Sequence, residues 1–70
     1  MTNQLTIHFP HSNITIEADN PDNLIVLSDF CKTEFGGYRA TESLNELTVD
    51  KFDEQDSNRF NSKLFELGLI

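Results

Sequence analysis

Two short runs near the start of the chain restrict its fold more than anything else in it. Leu5, Ile7 and Phe9 alternate with Thr6 and His8; Ile14, Ile16 and Ala18 alternate with Thr15 and Glu17. A period of two built from aliphatic, β-branched and aromatic residues is the signature of half-buried strands. Pro10-His11-Ser12-Asn13 between them is turn chemistry. A four-residue loop over 10–13 would pair Phe9 with Ile14, Ile7 with Ile16 and Leu5 with Ala18, with all six apolar side chains on one face. A hairpin alone is barely stable in water, so that face needs a cover.

The rest of the chain supplies it. Asn20-Pro21-Asp22 reads as a helix start: an amide side chain to accept backbone N–H bonds, proline at the first helical position, and an acid at the positive end of the dipole. At 100° per residue, Leu24, Leu27, Phe30, Cys31 and Phe35 form one stripe, with Val26 at its edge, and Gly36-Gly37 supplies the stop. Ile25 faces away, beside Asp29 and Lys32. Residues 38–49 admit two readings: Tyr38–Thr41 as a short third strand, and Ser43–Glu46 as a capping box opening a helical turn with Leu44 and Leu47. Phe52, Phe60, Leu64 and Leu67 point to a C-terminal helix starting at Thr48 or after Asp53. Gly68 and Leu69 close it in a Schellman motif, with Leu69 returning to Leu64. The expected architecture is α+β: an antiparallel hairpin, with a third strand available, packed against two α-helices in a single domain, residues 1–70.

Twelve Asp and Glu against five Lys and Arg leave a net charge of −7. This argues against binding phosphates directly and against an anionic membrane surface, and favours a basic protein partner. The acids concentrate between Glu42 and Asp56. Were 42–54 helical, Glu42, Glu46, Asp50 and Asp53 or Glu54 would climb one side in steps of about 6 Å, comparable to phosphates along a nucleic-acid strand. Like charges so placed repel, and a partner or water must make them tolerable.

No catalytic pattern accompanies these acids. His8, His11 and Cys31 lack the paired spacing of a structural zinc site. Asp50, Asp53 and Asp56 recur every third residue but lack the central glycine of a calcium loop. Cys31 lies on a core stripe and reads as an inert thiol. Neither enzyme activity, a metal nor a cofactor is expected. The first residues lack the charged and apolar regions of a secretory signal, and one thiol suits a reducing compartment, so the cytoplasm is expected. With no disulfide available, self-association is the remaining device for stabilising so short a chain, and a homodimer is one expectation.

In size, acidity and lack of catalytic motifs the chain resembles the broad class of small phage-encoded inhibitors, among them anti-CRISPR proteins and inhibitors of restriction-like defence systems. Its Asn, Asp, Phe and Ile usage suits an AT-rich phage genome. The resemblance implies a non-catalytic protein that blocks a larger host or defence protein. The expected contact surface combines Ile25 and Asp29 on the first helix with Glu42, Glu46, Asp50, Asp53 and Glu54. The alternatives are a nucleic-acid mimic occupying a basic channel, and a module that assembles only with itself.

Overall fold

A computed structural model describes residues 3–40 and 45–70. The chain runs β1 (Asn3–His8), β2 (Asn13–Ala18), α1 (Pro21–Phe35), β3 (Glu46–Thr48) and α2 (Glu54–Glu66). The three strands form one sheet in the order β2-β1-β3, with β2 antiparallel and β3 parallel to β1. Both helices cover the same face, giving the expected α+β class with a mixed sheet.

The hairpin is regular, but its register differs from the expected one by two residues. Ile7 sits opposite Ile14, Leu5 opposite Ile16, and His8 opposite Asn13. The turn therefore holds Phe9–Ser12, with the Phe9 N–H donating to the Ser12 carbonyl at 2.8 Å. A slip of two keeps every side chain on its face, so the hydrophobic pattern cannot distinguish the two registers. The observed one frees the Phe9 ring to lie against Phe52 and Phe60, at centroid separations of 4.1 and 5.3 Å.

α1 forms as its sequence dictates. The Asn20 side chain accepts from the Asp22 N–H at 3.0 Å, and Pro21 occupies the first turn. Leu24, Leu27, Cys31 and Phe35 are buried, and Gly36 ends the helix at φ 66°, a left-handed conformation that favours glycine. Ile25 and Val26 are exposed.

The segment before α2 corrects the helical reading. Leu47 belongs to a strand, not a helical turn: Ile7 is its β1 neighbour, and the Val49 N–H continues the ladder to the His8 carbonyl. Leu47 and Val49 are almost fully buried while Glu46 and Thr48 are half-exposed, a period of two. Among the described residues of the expected Tyr38–Thr41 strand, Tyr38 makes an isolated antiparallel bridge to Thr48, and Thr41 lies outside them. The capping box over Ser43–Glu46 falls largely outside the described residues. The one observed uses Asp53 and Asp56: each side chain accepts the other's backbone N–H, at 2.8 and 3.3 Å. α2 thus starts after Asp53, and Thr48 caps nothing. At its other end the Leu69 N–H reaches the Leu64 carbonyl and the Gly68 N–H reaches Phe65, which is the Schellman arrangement.

α1 and α2 meet along a seam held by cations. Arg59 pairs with Glu34 on α1 and with Asp56 one turn back, and its guanidinium lies over the Phe35 ring at 5.3 Å. Lys63 pairs with Glu66 and lies over Phe30 at 5.4 Å. α1 packs against β1 and β2, and Gly68 and Leu69, which follow α2, approach Glu17 and Ala18 at the end of β2.

Candidate functional site

The seven residues singled out in the sequence fall into separate places. Ile25 and Asp29 share the exposed flank of α1 and line a groove of about 510 Å³. Among the described residues β3 pairs with Thr6–His8 only, and the groove lies beside the part of β1 before them. The first rung of that pairing among the described residues is the Thr6 N–H donating to the Asn45 carbonyl, at 2.8 Å. The half of β1 before that point, Asn3–Leu5, has α1 beside it and Arg39 and Asn45 across from it. Leu5 and Leu24 line its apolar part, and Lys32 and Arg39 stand at its rim. Neither cation forms an ion pair among the described residues.

Asp50, Asp53 and Glu54 gather at the opposite end of the sheet. β3 runs parallel to β1, so the chain leaves it beside the end of β1, several residues at about 3.3 Å each from the groove. All three are exposed. Asp50 accepts a hydrogen bond from the Tyr38 hydroxyl at 3.2 Å, which together with its charge raises the phenol's pKa. Asp53 is committed to capping α2, and Glu54 occupies the first turn, where a carboxylate favours the helix dipole.

Glu46 is on a third surface. It lies on the uncovered face of the sheet, where its carboxylate meets His8 Nε2 at 3.2 Å. Cross-strand partners continue along that face: Thr6 with Thr15 at 3.1 Å, and Gln4 donating to Glu17 at 2.8 Å. Glu42 lies outside the described residues. The helical ladder of carboxylates does not form: Glu46 is in a strand, Asp50 in a bend and Asp53 at a cap. The phosphate-like spacing that suggested a nucleic-acid mimic goes with it.

Cys31 is fully buried between α1 and the sheet, and burial pushes its thiol up to about 12. A neutral thiol at that position packs as an apolar group and is a poor nucleophile. Among the described residues no group of three or more His, Cys, Asp and Glu side chains could hold a metal ion. No helix there is long and apolar enough to cross a membrane. No family model, curated protein or solved structure matches the chain.

Sequence reasoning missed the groove and its two cations. The groove borders β3, and only the alternation of Glu46, Leu47, Thr48 and Val49 could have announced that strand.

Proposed function

We propose that the protein is a non-catalytic binding module that occupies a basic surface on a larger protein, as a phage- or mobile-element-encoded inhibitor of a host or defence protein would. The observation that carries this reading is the gathering of Asp50, Asp53 and Glu54 at one end of the molecule. Arg59, the cation on the adjoining helix, is already engaged by Glu34 and Asp56. A basic surface approaching that end meets three exposed carboxylates against the single ammonium of Lys51, a net negative field that speeds encounter and orients the complex. The cytoplasm is the compartment we assign to it, where the lone thiol stays reduced.

A tagged pull-down from the native host, read by mass spectrometry, supplies the partner. Asp50→Lys combined with Glu54→Gln then tests the surface and leaves the Asp53–Asp56 cap intact. The double variant should bind at least about tenfold more weakly at low salt, a difference that shrinks as salt screens it. Equal affinity for the double variant and the parent would remove this end of the molecule from the interface.

A further inference from the structure

The outer edge of β2 carries a pattern that complements itself. The Phe9 to Ser12 bond fixes which residues of the hairpin exchange backbone hydrogen bonds. Alternation along the observed register then makes Ile14, Ile16 and Ala18 the residues bonded to β1. The backbone N–H and C=O groups of Asn13, Thr15 and Glu17 consequently point outward, and among the described residues no strand pairs with them. Natural edge strands are usually blunted by a bulge, a proline or an inward-facing charge. β2 has none of these: it is six residues without a bulge or proline, and its one charged side chain, Glu17, faces the open side of the sheet.

We infer that two copies of the chain join through this edge, β2 against β2 in antiparallel register, with Thr15 at the two-fold axis. Outward-facing residues must pair with outward-facing residues, which leaves few registers. Setting Glu17 opposite Glu17 of the partner subunit opposes like charges. Centring on Thr15 sets Asn13 opposite Glu17 of the partner subunit, where an amide can donate to a carboxylate. It also sets Ile14 opposite Ile16 of the partner subunit on the helix-covered face. Ile14 is only half-buried in the single chain, and this pairing covers it. The product is a continuous sheet of two three-stranded halves.

The helix layer supports the same seam. Phe65 is the most exposed large apolar side chain among the described residues, at 75%. It lies two residues from Lys63, about 200° around α2, and Lys63 reaches toward Phe30 on α1. Phe65 therefore looks away from α1, and the chain that follows it brings Gly68 and Leu69 beside Glu17 and Ala18 at one end of β2. Strand pairing alone buries little surface, and a stable dimer needs apolar contact as well. Phe65 from each copy supplies it.

Sedimentation of the purified chain tests the inference. The wild-type protein should be dimeric at about 100 μM, and salt should favour the dimer by screening the −7 charge of each copy. That salt dependence is opposite in sign to the one expected for binding a basic partner, so the two readings fail separately. Asn13→Glu places a carboxylate opposite Glu17 of the partner subunit and should weaken association by about tenfold or more. Adding Glu17→Lys to it should restore association. Thr15→Pro removes an outward N–H and should give monomers with an unchanged far-UV spectrum. A wild-type monomer at that concentration would overturn the inference. So would Asn13→Glu dimerising like the parent, or a charge swap that leaves association as weak as Asn13→Glu alone.

Discussion

At the hairpin-turn end of the molecule the helices close on the sheet through aromatic rings. Phe9, Phe52 and Phe60 touch in tilted and edge-on geometries, and Phe35 joins them through Phe52 at 5.3 Å. At the other end the contacts are aliphatic. Leu5 and Leu24 are buried, but among the described residues β1 outruns β3 there, and a groove lies beside Ile25. The difference follows from where the chain spends its bulky side chains. An aromatic ring buries a large surface and holds neighbouring rings in directional contact. Resistance to unfolding should therefore concentrate at the aromatic end, leaving the groove end free to present surface.

The strongest way to break that comparison is to empty each end in turn. Phe60→Ala removes a ring that contacts both Phe9 and Phe52 and should cost about 3–5 kcal/mol. A chain of this length has about 4–10 kcal/mol to lose, so urea midpoints should fall steeply. Leu24→Ala also empties a buried site, but one bordering an opening, where neighbours and water can relax into the space; about 2 kcal/mol is expected. An equal or larger loss for Leu24→Ala would mean that the groove end is as integral as the aromatic one.

Cys31 sits on α1 between the two ends and reports on both. Its thiol is pushed up to about 12 by burial, against 9.0 when unburied. The folded state thus binds the proton more tightly than the unfolded state. That contribution is whole below about pH 9 and is lost as pH rises toward 12. Cys31→Ala should flatten the alkaline limb of the stability curve, whatever it costs in packing at neutral pH. Iodoacetamide should label the wild-type thiol only as fast as the chain opens. Rapid labelling at neutral pH without unfolding would place a breach in the layer between α1 and the sheet.

How well each region could be read in the sequence depended on how many signals agreed there. In α1, the Asn20 cap, Pro21, the apolar stripe and Gly36 all said the same thing, and the helix occupies the expected residues. The hairpin faces were equally plain; the register was not, because a shift of two residues leaves the alternation intact. The choice rests on Phe9 packing against Phe52 and Phe60, residues more than forty positions away. β3 was hidden for a related reason. Three residues carry too little periodicity, and Leu44 and Leu47 offered a competing helical spacing. Asp56, which interrupts the apolar stripe of α2, is explained by geometry: it is the third residue of a capping box whose partner is Asp53. Acids that looked like one surface were therefore doing different local jobs.

That division of labour gives a smaller test. Asp53→Ala removes an acceptor for the Asp56 N–H and leaves the start of α2 uncapped, beside the aromatic cluster. About 1 kcal/mol should be lost, visible in thermal unfolding, with fraying confined to the first turn. Glu54→Gln, one residue on, makes no cap and should cost a few tenths of that. Similar losses for both would show that charge near the dipole, and not the cap, holds that end of α2.

The smallest expected effect is at the groove. Ile25 adjoins buried Leu24 in sequence yet is 58% exposed, because successive helical residues are turned 100° apart and only one of them can face the sheet. Ile25→Ser takes a branched apolar side chain off the flank of α1 without opening a cavity, and helix propensity changes little between isoleucine and serine. Stability should move by no more than about 0.5 kcal/mol in urea titrations. The same variant would also lower the apolar character of the groove, so a partner seated there should lose affinity while the fold does not. A stability loss of about 1 kcal/mol or more would instead assign Ile25 to the core. The groove would then be part of how the chain holds together, and the contrast between a stabilising end and a presenting end would no longer stand.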